Sequence, residues 1–375
     1  MKKLRVAEIV TAAFTAPPPA EVIYAPIFVA IDIARGLSDR GHDVTFFAPE
    51  GSHIPRVRIE SGGILPFHAS YPEDPEIYRA PDVRLAEREK IIGLWEQRLI
   101  AELYRRARVG EFDIIHAHAP DRTLPFASLV PTPTAYTLHT PVMSWHEPSF
   151  APFINEYQHF VSISDAQRRP AQKLPWRATI YNGLDLKKFP FSAKGGEEFL
   201  FSGRLIPQKG VREAIDAVRL LGARLTIVGA HGAPKTARAP KTRRPNYWES
   251  EIAPQLAQGD ITYAGLVSYD EIHRFYQTAK ATLVPIRWEE PFGLTMIESM
   301  ACGTPVIAFR RGSVPEIVVD GVTGFIVDTI EEMAEAMKKI DRIDRRACRE
   351  HVERNFTVES MVDGYEKLFF ELTQR

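Results

Sequence analysis

The chain is poor in cysteine: its 375 residues hold two, Cys302 and Cys348. That is too few for a disulfide framework or a thiolate metal site, and a reducing cytoplasm fits best. Neither charge is in excess, with 47 Lys and Arg against 48 Asp and Glu for a formal net charge of -1. There is thus no global basic field to draw the chain onto nucleic acid. No run of about 18 apolar residues occurs, so no segment is long enough to cross a bilayer as a helix. Met1-Lys2-Lys3-Leu4-Arg5 opens without the apolar stretch and cleavage site of a signal peptide. Glycine is absent between Met1 and Gly36, which excludes the G-x-G-x-x-G of a nicotinamide dinucleotide fold after the first strand.

What is present is a soluble globular composition, 45% hydrophobic and 25% charged, in a chain longer than one core usually holds. Two domains are expected. Short β-branched or aromatic runs recur at Leu4 to Val10, Val44 to Ala48, Asp113 to Ala117, Thr134 to His139 and Phe160 to Ile163. Between the first two, Ile27, Ile31, Ala34 and Leu37 follow helical spacing until Gly41. Strands alternating with helices imply a parallel sheet covered on both faces. The rhythm restarts after Asn182-Gly183, with strands at Glu198 to Phe201, Leu225 to Val228, Ile261 to Tyr263, Ala281 to Val284 and Val306 to Phe309. Helices are expected at Val211 to Leu221, after a Ser268/Glu271 capping box, and from about Phe292. This predicts an α/β protein of two doubly wound domains, 1–190 and 191–355, with a last helix within 356–375 returning to the first. Doubly wound sheets bind ligands beyond the carboxyl ends of their strands.

Three groups of residues could carry chemistry. In Phe201-Ser202-Gly203-Arg204, continuing to Lys209-Gly210, one cation stands just past a strand and another at a helix entrance. Two such cations suit a diphosphate and the charge that grows on it as it leaves; the plain alternative is a surface pair at loop ends. In Glu289-Glu290-Pro291-Phe292-Gly293-Leu294-Thr295-Met296-Ile297-Glu298, a helix start and two carboxylates suit phosphate and sugar hydroxyls. The alternative there is a pair of solvated helix-start acids. His116 and His118 point to one side of a strand end and His139 ends another. Each alone reads more readily as a packed core histidine than a catalytic one, and no third metal ligand is evident nearby.

Taken in order, Gly41-His42-Asp43-Val44, His116-Ala117-His118, Asn182-Gly183-Leu184-Asp185, Gly203-Arg204 with Lys209, and Glu290 to Glu298 resemble the retaining glycosyltransferases of family 4, glycosyl transferases group 1. The resemblance spans nearly the whole chain. It implies the GT-B fold, two Rossmann-like domains facing across a cleft, and transfer of a hexosyl group from a UDP- or GDP-sugar to a hydroxyl acceptor. By similarity, Arg204 and Lys209 would hold the donor diphosphate after Gly203. Glu290 and the Phe292, Gly293, Leu294 and Thr295 backbone would hold the sugar, and Glu298 the ribose. His118 would lie near the sugar and stabilise the transition state. The resemblance further implies no cofactor and no metal for the transfer step, and the chain has no Asp-x-Asp triplet.

The chain departs from the family where relatives carry a Gly-Gly pair after the first strand. It reads Ala16-Pro17-Pro18-Pro19-Ala20-Glu21-Val22-Ile23-Tyr24, so Glu21 or Tyr24 is expected on the acceptor side, with His116 and His139. Two other functions stay open, a sugar-nucleotide 2-epimerase of the same fold and a non-catalytic nucleotide-sugar binding protein. Leu85 to Val109 is read as packing an apolar stripe on the sheet with a solvated basic face; the alternative is peripheral contact with an anionic inner membrane face. Ala233 to Pro245, basic and without an acid, is read as a surface loop.

Overall fold

A computed structural model gives the fold, and it describes residues 3–19, 22, 24–66, 85–231 and 246–374. Glu21 and the basic segment 233–245 lie outside the described residues. The chain divides into two units, one of 1–183 with 358–375 and one of 184–357. These divisions differ from 190 and 355. The Leu184 amide donates to the Phe356 carbonyl at 2.9 Å and Leu184 bridges Thr357, so residues 184–190 start inside the second unit.

The first unit is a seven-stranded parallel sheet in the order β3-β2-β1-β4-β5-β6-β7. Its strands are β1 (Arg5–Ile9), β2 (Asp43–Phe47), β3 (Arg58–Glu60), β4 (Ile114–Ala117), β5 (Thr134–Thr137), β6 (Gln158–Ser162) and β7 (Trp176–Thr179). Residues alternate between two cores, as a strand covered on both faces requires. Leu4, Val6 and Val10 join the layer of α1 (Ala25–Asp39), while Ala7 and Ile9 join that of α2 (Leu85–Ala107). Helix α2 packs Leu99, Ile100, Leu103, Tyr104 and Ala107 inward, and of its arginines Arg105 pairs with Glu102 and Arg106 with Glu60 and Glu111.

The C-terminal helix, Val358–Thr373, belongs to this unit and packs Met361, Val362, Tyr365, Leu368, Phe369 and Leu372 into the α1 layer. Gly36 makes that approach possible, because a Cβ there would lie 2.5 Å from Val362 Cγ2. Arg40 ties the two helices together through Glu366 at 2.7 Å and Asp363 at 2.6 Å.

The second unit is a six-stranded parallel sheet in the order β10-β9-β8-β11-β12-β13. Its strands are β8 (Phe199–Ser202), β9 (Leu225–Val228), β10 (Ile261–Gly265), β11 (Thr282–Val284), β12 (Val306–Phe309) and β13 (Gly324–Val327). The helix Val211–Leu221 buries Val211, Ala214, Ile215 and Val218, the i, i+3, i+4, i+7 stripe that docks it on the sheet. The Ser268/Glu271 pair does not act as a capping box. The Ser268 hydroxyl donates to the Glu271 carboxylate itself at 3.2 Å, and the helix begins only at Ile272. In both sheets the order reverses between two central strands, β1 and β4 in one and β8 and β11 in the other. Among the described residues no helix is long and apolar enough to cross a membrane.

Candidate active site

In the second unit the carboxyl ends of β8 and β11 lie side by side at the switch point, where α/β sheets open a crevice. Beyond β8 come Gly203, an exposed Arg204 and, at the entrance to the next helix, Lys209. Beyond β11 comes Glu290, 7% exposed. The structure brings Lys209 and Glu290 together: Nζ donates to Oε2 at 2.6 Å, and the ammonium lies 4.9 Å from the centre of the Trp288 ring. Trp288 Nε1 donates to the same carboxylate oxygen at 2.8 Å. Arg204 stays outside this pair.

The Glu290 backbone is fixed from behind. Its carbonyl accepts from the Ser313 amide at 2.9 Å, and Gly312 comes so near that a Cβ would lie 2.2 Å from that oxygen. Gly312 also has φ +53, the left-handed region that favours glycine. The Phe292 carbonyl is occupied by the Ser313 hydroxyl at 2.8 Å, and its ring packs edge-on to Phe356. Gly293, with φ +84, ends the loop, and the helix Leu294–Ala301 opens with Leu294 and Thr295 half-buried. The amides at that opening, rather than the Phe292 carbonyl, are what this turn offers a ligand.

Glu298 is not a solvated helix-start acid. It is buried, accepts from the Tyr276 hydroxyl at 2.8 Å, and burial pushes its carboxyl up to about 7 although Tyr276 and Tyr269 favour the anion. Tyr276, on the helix Ile272–Thr278, also reaches the Ser202 hydroxyl at the end of β8.

In the first unit β1 pairs with β4 so that Glu8 stands opposite His116. Glu8 was not a sequence candidate, yet it organises the histidines. Its carboxylate lies 2.5 Å from His118 Nε2 and 3.1 Å from His116 Nδ1. His116 Nε2 lies 2.8 Å from the Thr137 hydroxyl, itself 2.9 Å from the Tyr365 hydroxyl on the C-terminal helix. At the other end His118 Nδ1 meets His139 Nε2 at 2.6 Å, with the rings stacked. The histidines are therefore neither isolated core residues nor unpartnered. Burial pushes His116, His118 and His139 down to about 3, and raises the Glu8 carboxyl against the pull of His118.

Glu8, His116 and His118 place ligand-type atoms within 4.8 Å of one another, so a third group does stand beside the His-x-His pair. They fit each other better than a shared ion. Two ligands of a tetrahedral zinc stand about 3.3 Å apart, whereas His118 Nε2 and Glu8 Oε1 are at direct hydrogen-bonding distance. Of the remaining acceptor-side candidates, Tyr24 lies just before α1 with its ring 6.3 Å from that of Phe14, outside this hydrogen-bonded chain. Glu21 is outside the described residues.

Two family models match the chain in succession, Glycosyltransferase Family 4 over residues 28–188 and Glycosyl transferases group 1 over 185–354. The protein YtcC of Bacillus subtilis (strain 168) is 26% identical over 80% of this chain and 84% of its own length. Two other curated relatives, of 28% and 32% identity, match over about half of their own length or less. Among solved structures, sucrose-phosphate synthase from Thermosynechococcus elongatus aligns with a TM-score of 0.75 at 20% identity, covering 99% of each chain. Anabaena HepE in complex with UDP-glucose aligns at 0.68 and 17% identity, covering 98% of this chain and 100% of that one. At such identities the structures speak for the fold, two Rossmann-like domains of the GT-B class, and the family models for the chemistry. The chain belongs to the family 4, group 1 glycosyltransferases and is a glycosyltransferase of GT-B fold.

Proposed function

We propose that this enzyme moves a hexosyl group from a nucleotide diphosphate sugar, UDP- or GDP-linked, to a hydroxyl acceptor, with retained configuration and no metal at the transfer step. The observation that carries the reading is the Lys209–Glu290–Trp288 cluster at the switch point of the second sheet. Its ammonium is held in place by a carboxylate and an aromatic face before any ligand arrives, so stabilising a leaving diphosphate costs little reorganisation. Arg204, exposed at the end of β8, supplies a second cation for that diphosphate. Glu290 and the amides from Gly293 to Thr295 take the sugar, and Glu298 the ribose hydroxyls. HepE, a neighbour in fold, carries UDP-glucose in its structure, which supports a nucleotide sugar as donor. The first unit is assigned the acceptor through His118 and His139.

The test is a thermal-shift panel of UDP-, GDP- and ADP-sugars with and without chelator, followed by product analysis with hydroxyl acceptors. Donor-protected melting and a new α- or β-glycoside matching the donor's configuration, both undiminished by chelator, are expected. An isomerised free sugar would mark a 2-epimerase instead. Protection without transfer or donor hydrolysis would mark a binding protein.

A further inference from the structure

The chain Tyr365–Thr137–His116–Glu8–His118–His139 is continuous, each link a hydrogen bond between side chains. Five of its members are buried, and His139, half-buried past the carboxyl end of β5, is the member that reaches the surface of the first unit. Its donors and acceptors can be assigned in two complete ways. In the first, Glu8 is ionised and accepts from His116 Nδ1–H and His118 Nε2–H, while His118 Nδ1 accepts from His139 Nε2–H. In the second, Glu8 carries a proton on Oε1 and donates it to His118 Nε2; His118 Nδ1–H then donates to His139 Nε2, and the His139 proton sits on Nδ1. Every link is satisfied in both, and the two differ by one proton.

We infer that Glu8 is the terminus of a proton relay that collects the proton of the acceptor hydroxyl at His139 and stores it in the buried sheet. The inference rests on the glycosyl transfer proposed above. The acceptor O–H bond breaks as its oxygen bonds the anomeric carbon, and the bond from that carbon to the phosphate oxygen breaks with its electron pair leaving on the nucleotide. The acceptor proton goes to His139 Nδ1, that of His139 Nε2 to His118 Nδ1, and that of His118 Nε2 to Glu8 Oε1. Three neutral imidazoles remain neutral, and the one charge that changes is Glu8. Release reverses the same path. His139 is the group that would touch the acceptor, while Glu8 acts through His118 and is a positioning residue.

The surroundings of Glu8 suit a store. Among the described residues the titratable groups facing it are His116 on β4, His118 just past that strand and Tyr365 on the C-terminal helix, with His139 one link further on. Its register partner on β2 is Phe46, and α1 buries Ile27, Val29, Ala30, Ile33, Ala34 and Leu37. Burial, the larger effect, raises the Glu8 carboxyl and favours its protonated form, while the His118 hydrogen bond favours the anion.

The test is Glu8→Gln. The glutamine amide donates to His118 Nε2 and its oxygen accepts from His116 Nδ1–H, reproducing every hydrogen bond of the loaded state with nowhere to put a proton. The expected result is a kcat lowered at least about tenfold, a donor KM within about twofold of wild type, and loss of the limb on which activity rises with pH. Glu8→Asp, which keeps a titratable group, should retain that limb at reduced kcat. Wild-type kcat and an unchanged pH profile in Glu8→Gln would overturn the relay while leaving the transferase reading intact. Infrared difference spectra need no activity: the wild type should show a buried protonated carboxyl that disappears as pH rises and is missing from Glu8→Gln. A Glu8 carboxyl that does not change with pH would overturn the store even if transfer is robust. A protein that transfers nothing yet shows this infrared titration would overturn the functional reading alone.

Discussion

Glu298 offers a prediction whose size follows from its burial. The carboxyl is held at about 7 against an ordinary 4.5, and desolvation is the main cause. Across that window the folded protein holds a proton that the unfolded chain has released. Stability therefore falls as pH rises from 4.5 to 7, and the penalty is absent below the unfolded value and complete above the folded one. The 2.5-unit separation, at about 1.36 kcal/mol for each pH unit, gives an upper bound of about 3 kcal/mol. Glu298→Gln removes the titration while leaving Tyr276 an oxygen to donate to. Urea unfolding of both proteins at pH 4.5 and pH 8, followed by intrinsic fluorescence, is the assay. The variant should match wild type at pH 4.5 and exceed it at pH 8 by up to that amount. Hydroxyls donate best to an anion, so donor affinity should also climb with pH in wild type and stay flat in the variant. Parallel pH dependence of stability in the two proteins would refute the claim that Glu298 carries a burial penalty.

Glu290→Gln and Arg204→Ala should each lower turnover at least tenfold, about 1.4 kcal/mol of barrier, with unchanged melting; near wild-type rates in either would count against the assigned roles. Lys209→Met leaves the largely buried Glu290 carboxylate without its ammonium, so melting should drop by the equivalent of roughly 1–3 kcal/mol, and adding Glu290→Gln should restore most of the loss; additive losses in the double variant would argue against coupling. Gly36→Val drives a side chain into Val362 and should destabilise the first unit by about 1–3 kcal/mol, with Val362→Ala compensating. Independent effects of those two substitutions would show that the C-terminal helix does not depend on that close approach.

The fold was legible in the sequence to the extent that burial was. Of the strands read from apolar runs, β1, β2, β4, β5, β6, β8, β9, β11 and β12 are flanked on both edges by other strands, and β10 alone is an edge strand. The unread ones, β3, β7 and β13, are all edge strands. β3 is Arg58-Ile59-Glu60, β7 is half-exposed along its length and β13 opens on a glycine. An edge strand needs no continuous apolar run, so composition does not mark these three. The short helix Ile330–Met337 was likewise unread, whereas the segment around Cys348 reads as helix and is one, Arg345–Asn355.

The candidate site shows a different limit. Residue types were readable, since cations at strand outlets and carboxylates around a helix start carry their chemistry locally. Their pairing was not: Lys209 finds Glu290 across 81 positions, and Glu8 finds His116 across 108. Only the strand order places them together. Yet Glu8 did leave a trace. It is the one acid in a strand otherwise apolar after its first residue, within a sheet that helices cover on both faces. A carboxylate there cannot be left to water, so it needs a partner on a neighbouring strand at its own register. The neighbouring β4 supplies one at that register, His116. An acid inside a doubly covered parallel strand is therefore a request for a partner, and at a switch point the partner is more informative than the acid.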